Sequence, residues 1–261
     1  MGLDHISFTQ LNMILLCGES YRRRYIQGEK IQPSGSMVRG RCSHKVEEIN
    51  YKDKIKTGID LPVEAIGDLF SDEWEKQKYE IAWNEDELDG DSPTKAEAKF
   101  KDTGIVVIET YHKELAPLAI PIAVEEKFTV EFQGGYPSLT GIIDRIDEGD
   151  HIIDLKFVGK SPTADDAAKD VQLTAYQFGF LHAYKKKPAL LKKEYAVSTK
   201  VPKTVTQEVP PRDDETIQRF LLRLETAMAA IEKGVFLPAQ HGSWKCSEKW
   251  CGYWSTCPLK P

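Results

Sequence analysis

The sequence predicts an α/β domain, a central sheet with helices before, within and after it. Three observations predict it. Segments 120–133, 138–147 and 151–158 are rich in β-branched residues and read as successive strands, broken by Gly134-Gly135 and by a turn at Gly149. Helical spacing of apolar residues marks the first fifty residues, which precede these strands. A long amphipathic stretch from about Asp213 to Lys233 follows them, with Gly234 placed as the residue that ends a helix.

Taken in order, residues 5–30 read as helical, with Ser7 or Thr9 as the N-cap before Leu11, Ile14 and Leu15. A second helix is predicted from near Ser36 to about Asn50. Residues 53–115 are acidic and helix-rich, with Trp74 and Trp83 as packing anchors and Asp86–Ser92 as an exposed loop. After the three strands, Thr163 is predicted to cap a helix of about twenty residues. Asp165 and Asp166 then lie in its first turn, where the helix dipole favours negative charge. Further strands are expected near Lys193–Thr199 and Thr204–Val209. The tail from Leu237 to Pro261 has little regular pattern.

Composition narrows the function. The chain has 261 residues, enough for a sizeable core, and its 41% hydrophobic and 29% charged content is that of a soluble globular protein. No apolar run approaches the roughly 20 residues that span a bilayer. The opening MGLDHISFTQ lacks the basic-then-apolar pattern of a secretory signal, so the expected location is cytoplasmic. A net charge of −6 argues against a generally basic nucleic-acid coater. Local patches still matter. Two stand out, Tyr21-Arg22-Arg23-Arg24-Tyr25 and Lys185-Lys186-Lys187, each equally readable as a solvated helix end. Of five cysteines, Cys17 and Cys42 lie near the start, whereas Cys246, Cys251 and Cys257 crowd into the last sixteen residues. Such crowding in a cytosolic chain points to metal or cluster ligation more than to disulfides.

The most informative stretch is GIIDRIDEGDHIIDLK, residues 141–156. With a three-residue turn at Glu148-Gly149-Asp150, Asp147 pairs with His151 and Asp144 falls opposite Asp154. Directly opposed residues share a face with Cβ atoms roughly 4.5–5.5 Å apart, and like charges so placed repel. Lys156 shares that face by the period of two. A divalent cation would offset the repulsion. A two-residue turn would instead put the two aspartates on opposite faces. His44 lies in GRCSHKVEE, where helical spacing aligns Gly40, His44 and Glu48. Glycine inside a helix costs about 1 kcal/mol relative to alanine, which suggests close approach of another backbone or a ligand at Gly40. A helical histidine is ordinarily a surface or core residue, but beside an opposed aspartate pair it is a candidate third ligand for Mn²⁺ and similar ions. Gln172 and Tyr176 form an i, i+4 pair that can hold a phosphate or orient the lysine, where the ordinary reading is a packed Tyr and a solvated Gln.

In this order the residues resemble the PD-(D/E)XK nuclease superfamily, in its RecB-like branch. Gly40 and His44 match its early Gly-x-x-x-His helix, Gly141 and Asp144 its Gly-x-x-Asp strand, Asp154 and Lys156 its Asp-x-Lys strand, and Gln172 and Tyr176 its trailing Gln-x-x-x-Tyr. The resemblance covers about residues 36–200. It implies a restriction-endonuclease-like core, a central mixed sheet flanked by helices. It makes residues 1–261 a single nuclease domain, with 53–115 a helical insertion and 237–261 a cysteine-rich tail closing on the N-terminal helix. His44, Asp144 and Asp154 would bind Mg²⁺ or Mn²⁺, with the carbonyl of Leu155 a further ligand. Lys156 would position water or stabilise charge on the phosphate, supported by Gln172 and Tyr176.

The termini add a second resemblance, to RecB-like nucleases that carry a cysteine cluster, AddB-like and CRISPR-associated exonucleases among them. Cys17 matches the N-terminal ligand, and Cys246, Cys251 and Cys257 match the three from the tail, although the first gap of four residues is longer than the usual two. The implied group is a [4Fe-4S] cluster, with Zn²⁺ as the alternative and free core cysteines as a third reading. Cys42 is left as structural. The implied function is exonuclease action on DNA with free ends or single strands, in repair or recombination, with Arg22, Arg23 and Arg24 guiding the strand. The alternative is a catalytically silent DNA-binding or assembly subunit of a recombination complex. Any helicase partner would be a separate protein, since no helicase phosphate-binding motif occurs here.

Overall fold

The protein is described by a computed structural model covering residues 4–261. Met1, Gly2 and Leu3, part of the stretch read for a signal and of the single-domain span, lie outside the described residues. The chain opens with a short strand β1 (His5–Ser7) and helix α1 (Phe8–Leu16). Ser7 caps α1 in a capping box. Its hydroxyl accepts from Gln10 N–H, and the Gln10 side chain accepts from Ser7 N–H at 2.6 Å. The predicted 5–30 helix is broken at Cys17, whose backbone is extended at φ −163°. A short α2 (Gly18–Tyr21) and a π turn (Arg22–Ile26) follow. Close packing explains the break. A Cβ on Gly18 would fall 2.7 Å from Leu237 N, and Gly18 N–H donates to Leu237 O.

Helix α3 (Gly35–Thr57) is longer than expected, capped by Ser34 and ended by Gly58 in the left-handed region. Helices α4 (Val63–Gln77), α5 (Glu85–Leu88) and α6 (Pro93–Glu114) complete the helical segment. The expected loop at Asp86–Ser92 is partly this single turn α5, capped by Asn84. Trp74 is fully buried, and Trp83 packs edge-on against Phe100 at 5.2 Å.

Strands β2 (Pro121–Val130), β3 (Ser138–Asp147) and β4 (His151–Val158) lie where the alternation placed them. The predicted twenty-residue helix after β4 is two helices, α7 (Asp166–Lys169) and α8 (Val171–Tyr184). Asp170, not Thr163, caps the longer one, accepting from Gln172 N–H and Leu173 N–H. The Thr163 hydroxyl is taken by the Asp165 and Asp166 carboxylates. Strands β5 (Leu190–Val197) and β6 (Lys203–Val209) and helix α9 (Asp214–Glu232) follow, with Asp213 as the N-cap of α9.

The sheet is six-stranded and mixed, in the order β1-β3-β4-β5-β6 with β2 also on β3. Strand β2 runs antiparallel along β3 from Leu139 to Asp147 and occupies one whole edge. Strands β1 and β4 must therefore share the other. Strand β1 pairs residues 138–140 and β4 pairs 145–147, which leaves 141–144 uncovered between them. The sheet forks at this point.

One face packs Ile146, Ile152 and Leu191 against Leu173 and Phe180 of α8 and Phe220 and Leu224 of α9. The other packs Ile153, Leu155 and Ala196 against Tyr51 of α3 and Tyr111 of α6. A third cluster joins Val38, Cys42 and Val46 of α3 to Phe70 and Trp74 of α4. Cys42 is fully buried there, and burial pushes its thiol up to about 12. No helix of the described residues is long and apolar enough to cross a membrane.

Candidate active site in the sheet fork

The β3–β4 turn has Gly149 at φ 80° and Asp150 at φ 62°, and the register is Asp147↔His151, Ile146↔Ile152, Arg145↔Ile153. One step outward, the count sets Asp144 opposite Asp154, as the three-residue turn requires, but Arg145↔Ile153 is the last pair of the ladder. The next backbone donor, Leu155 N–H, bonds Asp144 Oδ2 at 2.8 Å. A carboxylate thus replaces a strand, and this holds the fork open.

Donor atoms of His44, Glu125 and Asp144 all lie within 4.8 Å of one another. Two of these residues match the expected ligands. The third, Glu125, does not, and Asp154 does not belong to this close group. Glu125 has φ 53°, in the left-handed region that a non-glycine residue enters at a cost of about 1–3 kcal/mol. The flanking pairs Val124↔Arg145 and Glu126↔Ile143 set it abreast of Asp144. His44 stands edge-on to Phe157 at 5.4 Å. Burial, reinforced by the Lys156 charge, pushes its imidazole down to about 4, so at neutral pH the ring is uncharged with a free lone pair. Burial, then the charges of Asp144 and Glu48, push the Glu125 carboxyl up to about 7. The Asp144 and Asp154 carboxyls are both raised by burial, against the pull of Lys156. Burial thus disfavours the charged carboxylates here unless a cation sits among them.

Asp154 is fully buried. Its Oδ1 accepts from Lys156 Nζ at 2.8 Å, while Oδ2 has no hydrogen-bond partner and lies 4.0 Å from Lys193 Nζ. Lys156 also donates to Gln172 Oε1 at 3.2 Å, and Gln172 Nε2 donates to the Tyr176 hydroxyl at 2.7 Å. One hydrogen-bonded chain thus runs Asp154–Lys156–Gln172–Tyr176 across from β4 to α8. Asp170 anchors it by capping α8 while pairing with the buried Lys193 of β5. Neither Asp170 nor Lys193 stands out in the sequence. Lys193 reads there only as the edge of a strand, and Asp170 is hidden behind Asp165 and Asp166.

The motif glycines divide. A Cβ on Gly141 would meet Phe128 Cζ at 2.3 Å, so its absence admits the ring that underlies Tyr176 at 6.5 Å. A Cβ on Gly40 meets nothing within 4 Å, so the expected close approach of another part of the chain does not occur. The basic run does not offer three free cations. Arg22 is engaged by both oxygens of Glu19, and Arg23 is buried against Glu29, Thr256 and the Tyr253 ring. Arg24 alone projects, over the Tyr25 ring. In the lysine run, Lys186 pairs with Asp150 and Lys187 with Asp214.

Residues 5–258 match the family model of the PD-(D/E)XK nuclease superfamily. The chain belongs to the PD-(D/E)XK nuclease superfamily. The mixed sheet flanked by helices is the restriction-endonuclease-like core of that superfamily. A solved structure from Eubacterium rectale, of a protein provisionally named an exonuclease, is similar at TM-score 0.56 and 14% identity over 95% of this chain and 87% of that one. At that identity the likeness concerns the fold. The structure of SSO0001 aligns over 99% of this chain and 87% of that one at 15% identity, with a TM-score of 0.42 that carries no argument. No curated protein matches the chain.

Away from the fork, Cys17, Cys246, Cys251 and Cys257 line one small enclosed pocket, together with Arg23, Lys245 and Lys260. The helix break at Cys17 and the turns of the tail bring the four thiols together. The tail is docked by Tyr253, whose hydroxyl donates to Glu29 O at 2.9 Å, and by Thr256, which accepts from Arg23.

Proposed function

We propose that the protein is a divalent-metal-dependent deoxyribonuclease, an exonuclease that hydrolyses phosphodiester bonds at DNA ends. The observation that carries this reading is the convergence of His44, Glu125 and Asp144 beside the Asp154–Lys156–Gln172–Tyr176 chain in one fork of the sheet. One neutral imidazole, crowded carboxylates and the unpartnered Asp154 Oδ2 form a donor set that fits Mg²⁺ or Mn²⁺. His44, Glu125 and Asp144 would hold the ion, Asp154 would join through Oδ2, and the Leu155 carbonyl is a further ligand. When bound, such an ion polarises the phosphate and makes a strong water nucleophile available near neutral pH.

The protein's own groups supply the rest. An ammonium has three N–H donors. Lys156 commits two, to Asp154 and Gln172, and keeps one for the phosphate under attack or the attacking water. Tyr176 fixes Gln172, and Gln172 fixes the direction of that third donor. In this reading the whole chain acts as one nuclease domain, with 53–115 a helical insertion and 237–261 a closing tail.

The four converging cysteines fit a [4Fe-4S] cluster, the common iron group held by four thiolates, with Zn²⁺ as the alternative occupant. Its role here is structural, tying the tail to the N-terminal helix, because hydrolysis transfers no electron. A cytoplasmic role in DNA repair or recombination, alone or with a helicase partner, follows from the same reading. The silent DNA-binding alternative leaves the intact donor set without a purpose.

The test is cleavage of end-labelled linear and circular DNA with Mg²⁺, Mn²⁺ or EDTA. Linear DNA is expected to be degraded with either metal, circular DNA spared and EDTA inhibitory, and Asp154→Ala should be inactive with its fold retained by circular dichroism. Equal cutting of circles would refute end specificity. No cleavage of any substrate would leave the binding module.

A further inference from the structure

A basic groove lies apart from the carboxylate-rich site in the fork. Segment 24–33 and the start of α3 enclose a groove of about 700 Å³, lined by Arg24, Tyr25, Lys30, Ile31, Arg41 and Tyr79 among others. We propose that this groove binds single-stranded DNA and holds the strand at a second point beyond the active site. The proposal rests on the nuclease reading for the identity of the polymer.

Charge is the first argument. In a chain of net charge −6, the groove gathers three cations against one acid, Glu80. Neither Lys30 nor Arg24 takes part in an ion pair among the described residues, and Arg24 lies over the Tyr25 ring at 5.7 Å. Arg41 pairs with Glu80 at 2.8 Å, but the two side chains are 48% and 54% exposed. A pair so exposed contributes little and exchanges readily for a phosphate.

Stacking surface is the second argument. Tyr79 is 82% exposed, with Lys78 Nζ 5.3 Å from its ring centroid. Tyr25 lies in the same groove. Rings flanked by cations suit unpaired bases, each of which has a free π-face, whereas bases in a duplex are already stacked.

Position is the third argument. Arg41 lies one turn before His44 on α3, and Gly40 beside it leaves open space where any side chain would project. A strand leaving the metal centre along this flank meets Arg41 first. The wall at Ile31 is backed by the tail. A Cβ on Gly252 would fall 2.6 Å from Ile31 Cδ1, so the tail is pressed against the groove wall, and the exposed Trp250 lies two residues away.

The experiment is fluorescence anisotropy in EDTA, which separates binding from cleavage, with labelled dT20, dT4 and a 20-base-pair hairpin. Wild type is compared with Tyr79→Ala and with the double variant Arg24→Ala/Lys30→Ala, each checked for native circular dichroism. Tyr79→Ala should weaken dT20 about tenfold, in the range for loss of one stacked base. The double variant should reduce the slope of log K against log salt by about 1.4, or 0.7 for each phosphate no longer neutralised. Binding of dT4, which does not span both sites, should be unchanged. Affinities for dT20 within twofold of wild type and an unchanged salt slope would overturn the proposal. So would equal losses on dT4 and dT20, which place the effect at the metal centre. Groove-dependent binding by a protein that cleaves nothing with Mn²⁺ would support the groove and remove the nuclease reading.

Discussion

Arg145 gives a sharp test of how the fork is supported. It directly follows Asp144, points to the opposite face of β3 and is 1% exposed. Its Nε and Nη2 donate to the two oxygens of Asp147 at 2.8 and 3.1 Å, Nη2 also donates to Glu194 at 2.8 Å, and Nη1 donates to the Tyr111 hydroxyl at 3.1 Å. The guanidinium lies 4.6 Å over the Tyr51 ring. Arg145→Met keeps most of the volume but strands two carboxylates, Asp147 and Glu194, that are 7% and 4% exposed. Leaving a buried charge without its partner costs about 3–5 kcal/mol. At about 2–4 °C per kcal/mol for a domain somewhat smaller than this one, the midpoint should fall by roughly 6–20 °C. Replacing the whole set, Arg145→Met with Asp147→Leu and Glu194→Met, should recover most of that loss, because a well-packed apolar trio replaces buried charges at little net cost. Urea unfolding and scanning calorimetry measure both. A loss below about 1 kcal/mol in the single variant, or a triple variant as unstable as the single, would refute the argument that stranded charge sets the cost.

Three further outcomes are expected. Glu125→Gln should weaken Mn²⁺ binding in titration calorimetry by at least the tenfold typical of losing an outer-shell partner, since a charged direct ligand is removed; unchanged affinity would place Glu125 outside the metal site. Lys156→Ala should lower turnover by about 100-fold, the range for one donor aimed at developing charge, with DNA affinity preserved; an equal loss of affinity would make Lys156 a phosphate anchor. Anaerobic protein should be brown with about four irons per chain, and Cys17→Ser should bleach it whereas Cys42→Ser should not. Colourless protein with one zinc would replace the cluster by a zinc site.

The hairpin was legible because a three-residue turn fixes register, and register alone opposes Asp144 to Asp154. Cys17, Cys246, Cys251 and Cys257 were singled out by the crowding of the last three, and the four line one pocket. Glu125 was not legible. It lies in PIAVEEKF, where either glutamate fits the solvent face of a strand. Its aim depends on a left-handed backbone and on β2 lying abreast of Asp144, and no local pattern encodes either. The close trio of donors therefore differs from the expected one in a single member, with Asp154 turned to Lys156 instead. The start of α8 was misplaced for a different reason. Asp165, Asp166 and Asp170 are all competent caps, and only the pairing of Asp170 with Lys193 on β5 selects among them. Gly40 and Gly141 look alike in the sequence. One makes room for Phe128 and the other faces open space, a difference that only long-range packing decides.

The pocket of four cysteines has a consequence for how the protein is made. Cys257 is synthesised 240 residues after Cys17. At about 5–20 residues per second, that interval is roughly 10–50 s. Throughout it the Cys17 thiol stands without the other three, beside helices too short to persist alone. Strand β1 must also wait, since its pairing residues on β3 begin at Ser138. Any ion or cluster held by all four thiols would therefore enter only after the sheet is synthesised, and a nascent chain stalled between Cys17 and the last cysteines carries that thiol without the other three.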